Sequence, residues 1–385
     1  MRGSPAHCLN ALMVGAWIGF AAGLMMVMGT LMSVAGTLVV PRAVNSPASR
    51  MVAWLLDLVF RILTKPVRSF ERRNAILSWQ APMSLLARLA AWLGMLVVGF
   101  ALLLLPSMKG HLGQAFSEAG SSIFTLGYAA PSTGDSTTLE YLAAFTGLVV
   151  IGLQVGYLPT LYSAFNKRET DVTLLGTRAG VPSWGPELLA RTRWGIQGGN
   201  MTQVLETLFF SWERWAAEVT ESHTTYVTLV RFRSPHPLSH WLTSLIAVMD
   251  AAALHLSLAP SLEPKLAPRL ALRMGFVAIS QIARTMGRPV ADEPGPGAPI
   301  SLTFSDFQQA VAVLREVDYP IERSEEEAWP HFRGWRANYD ATALLLAKQL
   351  DAPPALWTGT RRWPSTPIVP RRPPAMMAPR DRPER

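Results

Sequence analysis

Apolar residues crowd the first 165 or so positions of this 385-residue chain, and polar character rises abruptly after Asn166-Lys167-Arg168. A globular enzyme spreads its core residues along its length, so this distribution predicts a membrane half followed by a soluble half. Three stretches, about 11–39, 85–105 and 139–163, are long and apolar enough to cross a hydrocarbon core about 30 Å thick, which takes roughly 20 helical residues. The first is much longer than the apolar core of a secretory signal and has only Arg2 ahead of it, so it is expected as a retained helix. Its Gly15, Gly19 and Gly23 share one helical face, where a missing side chain lets another helix approach closely.

Orientation follows from the basic residues, because loops rich in Lys and Arg stay in the cytoplasm. Between the first two stretches lie Arg42, Arg50, Arg61, Lys65, Arg68, Arg72 and Arg73 against Asp57 and Glu71. Between the second and third, Lys109 stands alone, while Lys167 and Arg168 follow the third directly. A multi-pass cell-membrane protein is expected, with its amino terminus outside and its carboxy-terminal part in the cytoplasm. In the inner loop, Val52, Leu55, Leu56, Val59, Ile62 and Leu63 fall near one face of a helix flanked by Arg50, Arg61 and Lys65. Such a helix lies on the membrane surface or against a partner.

The outer loop, residues 106–138, carries the candidate chemistry. Leu112 to Phe124 is too short and too polar to span a bilayer but suits a short helix. Thr125-Leu126-Gly127-Tyr128-Ala129 follows, and then the turn-rich Pro131-Ser132-Thr133-Gly134-Asp135. Helix, half-helix, extended segment, helix is the order of a pore loop, and over residues 85–165 the chain resembles the potassium channel family, whose filter reads Thr-Val-Gly-Tyr-Gly. The resemblance implies an all-α membrane protein: three transmembrane helices with a re-entrant pore loop, followed by a mainly helical cytosolic domain.

It also implies a passive cation channel of the potassium class, with the potassium ion as its permeant ligand. A cation leaving water needs several oxygens at once. Backbone carbonyls of Thr125, Leu126, Gly127 and Tyr128, with the Thr125 hydroxyl, would supply them as rings from four copies, so the channel would be a homotetramer. Gly127 can turn a carbonyl toward the axis, the Tyr128 ring can pack against the pore helix, and the carboxyl end of that helix would aim its partial negative charge at the cavity. Ala129 stands where the family has glycine, which would cost roughly 1 kcal/mol or more per copy if its backbone were left-handed. In the third stretch, Gly147, Gly152 and Gly156 with Pro159 would let a pore-lining helix bend, and Gln154 is placed on the cavity wall or against a neighbouring helix.

Four segments result: a transmembrane and interfacial region (1–84), the pore module (85–168), a cytosolic helical domain (169–358) and a disordered Arg/Pro-rich tail (359–385). Helical periodicity is clear at 201–220, 238–258, 264–287, 303–317 and 325–350, with capping boxes at Thr303/Asp306 and Ser324/Glu327. The 241–259 run approaches membrane length, but Asp250 and His255 with flanking His240 favour a buried soluble helix.

The formal charge of +8 sits between the hydrophobic segments or in the tail, so anionic membrane lipids rather than nucleic acid are the expected counter-charge. Cys8, the only cysteine, excludes a disulfide scaffold and a multi-thiolate zinc site. Phosphate-binding and nucleophile motifs are missing, so neither an enzyme nor a cofactor is expected. His236 and His240 have the i, i+4 spacing of a helical metal-ligand pair, which leaves a membrane-tethered metal hydrolase as a third reading. A nonconducting membrane-anchored sensor or scaffold is the second.

Overall fold

A computed structural model describes residues 5–40, 46–129, 134–193, 200–290, 295, 297–363 and 365–371. Among these, all regular structure is helical apart from one isolated bridge between Ala355 and Ile368. Four helical stretches are long and apolar enough to cross a membrane: Met13–Leu38, Phe70–Leu104, Ser136–Ala179 and Trp241–Leu258. The chain forms two compact units, Met1–Arg61 with Trp79–Tyr162, and Ile62–Ser78 with Ser163–Arg385.

The first unit is built on α1 (Pro5–Leu38) and α4 (Gln80–Leu104), which run antiparallel. Their register is legible in the contacts. A Cβ on Gly19 would stand 2.9 Å from Leu105, and one on Gly23 would stand 2.5 Å from the Gly99 carbonyl oxygen. Further along, the Trp92 indole donates to Ser33 Oγ at 3.0 Å. Glycine at 23 and 99 thus permits a backbone approach that any side chain would prevent. Gly15, the third glycine of the face, meets nothing within 4 Å. The opposite side of α1 leaves Met13, Trp17, Ile18, Met25 and Met32 exposed, as suits a helix solvated by lipid. On α2 (Pro47–Thr64) Met51, Trp54, Leu55, Val59, Ile62 and Leu63 are likewise exposed, and Arg61 pairs with Asp57 at 2.5 Å.

The second unit surrounds α9 (Trp241–Leu258), in which every residue but Leu256 is buried. Packed on it are α7 (Gly185–Arg191), α8 (Met201–Thr225), α10 (Leu266–Thr285), α12 (Glu325–Ala337) and α13 (Asp340–Gln349), with α11 (Phe304–Arg315) against α7 and α12. Asp250 shows how a carboxylate is tolerated there. It accepts from Arg336 Nη1 and from the Tyr339 hydroxyl at 2.6 Å, while Arg336 Nε donates to Asp340 at 2.7 Å and Nη2 to the Trp357 carbonyl at 2.6 Å. A buried charge persists only when paired and hydrogen-bonded in this way. Both capping boxes, at Thr303/Asp306 and Ser324/Glu327, form as the sequence predicts.

Three sequence expectations change. The 325–350 helix is two helices, broken at Asn338–Tyr339, because Asp340 turns to accept from the Ser301 amide and hydroxyl at 2.8 and 2.9 Å. The Arg/Pro-rich segment expected to be disordered from residue 359 packs on this unit as far as Arg371. Arg361 is buried with its guanidinium on the Pro353, Thr358 and Gly359 carbonyls, and Arg191 Nη2 donates to the Arg371 carbonyl at 3.1 Å. Finally, α3 (Phe70–Ser78), from the basic inner loop, belongs to this unit. Its buried Arg73 pairs with Asp351 at 2.7 Å, and Arg233 donates to Asn74 at 2.6 Å.

Candidate functional site

The short helix of the outer loop is α5 (Leu112–Ile123), which at about 1.5 Å per residue is only about 18 Å long. Ala115, Ala119 and Ile123, each one turn apart, are buried, and α5 packs on α4. Two contacts tie it to α6 (Gly134–Ala179). Glu118 lies beside Glu140, and the Ile123 carbonyl oxygen comes so near Gly147 that a Cβ there would stand 2.3 Å away. Both contacts advance together along the two helices, so α5 runs beside α6 in the same direction. The close approach is the reason for glycine at 147.

The helix ends in a Schellman motif. Leu126 N–H donates to the Ser121 carbonyl at 2.8 Å, Thr125 N–H to the Ser122 carbonyl at 3.0 Å, and Thr125 takes the left-handed backbone, φ 53°. Glycine is the usual occupant of that position, and a β-branched residue there is strained. Gly127 is left-handed as well, at φ 70°, with open space around its α-carbon. The chain then turns back along α5. The Ala129 amide donates to Ser121 Oγ at 3.3 Å, and the Tyr128 hydroxyl reaches the Ser117 carbonyl at 3.2 Å. Leu126 and Tyr128 nevertheless remain 63% and 65% exposed.

Two expectations about this loop need correction. Between Thr125 and Ala129 the left-handed residues are Thr125 and Gly127, not Ala129, so the backbone cost anticipated at Ala129 falls on Thr125. At the end of α5, the Gly120, Ser121 and Ser122 carbonyls accept from the Phe124, Leu126 and Thr125 amides, so part of the partial negative charge there is engaged locally.

The residues anticipated on α6 divide between two faces. Glu140, Gly147 and Gln154 recur every seven residues on the buried face, and Gln154 is 6% exposed. Gly152 and Gly156 lie on an exposed face with Leu148, Leu153 and Val155, and nothing approaches within 4 Å of the position a Cβ would take on either glycine. Within one chain Gln154 therefore sits in helix packing rather than on an open wall, the outcome expected when a polar group in an apolar helix finds protein around it. The helix runs unbroken through Pro159.

Beyond the apolar part of α6, Arg168 is fully buried in the second unit. It donates to Glu169, to His223 Nε2 and to the Leu229 and Phe232 carbonyls, the last three at 2.9 Å, and stands over the Phe165 ring. Because a guanidinium only donates, His223 must accept as the neutral imidazole. Burial first, and then the neighbouring Arg168 charge, hold its protonation well below the usual histidine range. His240 is held down likewise, by burial and then by Arg233, Arg168 and Arg361.

The helical ligand pair proposed for His236 and His240 does not form. Pro235 and Pro237 keep His236 in a turn, whereas His240 caps α9, its Nδ1 accepting from the Leu242 amide at 3.2 Å. Among the described residues no three His, Cys, Asp or Glu side chains gather at metal-ligand spacing. What the sequence does not show is that Glu118 and Glu140 lie side by side, which depends on how α5 meets α6. No family model, curated protein or solved structure matches this chain.

Proposed function

We propose that the chain is the subunit of a passive cation channel of the potassium class, assembled as a homotetramer, with Thr125-Leu126-Gly127-Tyr128-Ala129 as its filter segment. The observation that carries this reading is the course of the outer loop. A helix too short to cross runs beside α6, and the following segment returns along it, pinned by Tyr128 on Ser117 and Ala129 on Ser121. A segment returning this way can expose a row of carbonyls while its side chains hold the helix behind it. Irregular backbone at membrane depth is tolerated only where it lines a water-filled path or lies within protein. The exposed Leu126 and Tyr128 and the exposed glycine face of α6 support assembly, since each would be covered by neighbouring copies.

In this reading α6 carries the loop's neighbour at one end and the buried Arg168 at the other, within one continuous helix. The test is a mass measurement on the solubilised protein together with ion flux in vesicles. The reading expects four copies and potassium flux. It also expects Gly127→Ala to abolish flux without disturbing assembly, because a Cβ at φ 70° is strained although the space around it is open. A monomer, or unchanged flux in that variant, would sink it.

A further inference from the structure

The residues of α2 divide among three strips. Ser49 and Phe60, about three turns apart on one side, are buried. On the opposite side Met51, Trp54, Leu55, Leu58, Val59 and Ile62 follow the i, i+3, i+4, i+7, i+8, i+11 spacing of one helical face, and all six are exposed, Trp54 and Ile62 to 63%. Between the two strips Arg50 and Arg61 share an edge, also about three turns apart, and both are exposed. An open apolar face of this extent marks an interaction surface.

What covers the face follows from where α2 is held. Ser46 caps the helix by accepting from the Ser49 amide at 3.2 Å, and its hydroxyl also bonds Ser33 Oγ at 2.6 Å, to which the Trp92 indole donates. Farther along, Gln80 Nε2 donates to Asp57 at 3.3 Å. Ser33 stands in the last turns of the Met13–Leu38 span and Gln80 is the first residue of α4, so α2 is fixed to the end of the bundle where α1 finishes and α4 begins. The anchors pass from Trp92 back to Gln80 while α2 advances from Ser46 to Asp57, so α2 leans along the start of α4. Its outer face therefore stands at the level where hydrocarbon gives way to head groups. Basic residues assign that end to the cytoplasm, and the exposed Arg50 and Arg61 are followed by the exposed Lys65 and Arg68. Such an edge is complementary to anionic head groups.

We propose that α2 is a lipid-binding helix, with its stripe from Met51 to Ile62 among the acyl chains of the cytoplasmic leaflet and Arg50 and Arg61 on the phosphates of anionic phospholipid. Long arginine stems reach the phosphates while the apolar face stays below them. Trp54 suits this boundary, since its ring is apolar and its N–H still finds a polar partner. The inference concerns membrane contact and stands whether or not the outer loop conducts, so its test uses no flux.

The full-length wild type is reconstituted into phosphatidylcholine vesicles that contain a small fraction of phospholipid with a photoactivatable diazirine on the upper part of one acyl chain. After irradiation, tandem mass spectrometry of the digested protein locates the adducts. They are expected at Trp54, Leu55 and Leu58 and not at Phe60. A stripe that stays unlabelled while Met32, 73% exposed beside Ser33 on α1, is labelled would overturn the proposal and mean that a second copy or another protein covers the face. A second arm compares equal amounts of the reagent with a phosphatidylglycerol and with a phosphatidylcholine head group. The anionic reagent should give about fivefold more adduct on the stripe, the factor that one basic residue gains near an anionic surface. The double variant Arg50→Gln, Arg61→Gln should lose that preference while the stripe remains labelled. Equal yields from the two reagents on the wild type would contradict the choice of anionic lipid, and a preference that survives in the double variant would contradict the part given to Arg50 and Arg61.

Discussion

The Tyr128 hydroxyl lies 3.2 Å from the Ser117 carbonyl oxygen and donates to it, closing the returning loop onto the middle of α5. With the ring largely exposed, this bond is worth about 0.5–1.5 kcal/mol. Tyr128→Phe should lower stability by no more than that, yet free the loop from its helix. The expected outcome is unchanged subunit number with a reduced preference for potassium over sodium, read from permeability ratios. An unchanged ratio would separate this contact from ion selection.

Strain in the loop sits at Thr125, where φ is 53°. Thr125→Gly should raise the unfolding midpoint by relieving roughly 1–2 kcal/mol, whereas Ala129→Gly should give no such gain. In the channel reading the Thr125 change also deletes a coordinating hydroxyl, so added stability should come with lost selectivity. Thermal unfolding of the two variants side by side decides where the strain lies.

Arg336 holds the second unit together at one point, binding Asp250, Asp340 and the Trp357 carbonyl while fully buried. Arg336→Met leaves two carboxylates without their cation and should destabilise the protein by about 3–5 kcal/mol. Denaturant unfolding of the full chain measures it. A cost under about 1 kcal/mol would mean that water replaces the guanidinium and that the site is open.

Acid should weaken the second unit. His223 and His240 are neutral in the folded chain because burial, and then nearby guanidiniums, hold their protonation below the usual range. Unfolded, both take up protons near pH 6.5. As pH falls below that value the unfolded chain binds more protons than the folded one, so stability is full above it and is lost on acidification. His223→Gln, which keeps an acceptor for Arg168, should flatten part of that slope in unfolding midpoints taken from neutral to mildly acid pH. An unaltered slope would place the acid sensitivity elsewhere.

The legible parts of this chain were those written in short-range pattern. Gly19 and Gly23 marked a helix contact because spacing alone puts them on one face, and Asp250 with His255 marked α9 as a buried helix in spite of its length. Ser324 and Thr303 announced their helices through local capping. What stayed hidden depends on partners far along the chain. The break at Tyr339 comes from residues 250 and 301, and the position of α3 from Asp351 and Arg233. The fate of Gln154 depends on which face of α6 meets its neighbours. Glu118 and Glu140 stand on different helices, and only the packing of α5 on α6 brings them side by side.

The central claim is that the loop from Thr125 to Ala129 selects a cation among four copies. Reversal potentials of the purified protein in planar bilayers, taken with opposed potassium and sodium gradients, test it most directly. The account expects a potential displaced toward the potassium equilibrium value in the wild type and no current from Gly127→Ala. A current that persists in that variant, or a bilayer that stays silent with correctly assembled wild-type protein, would contradict it.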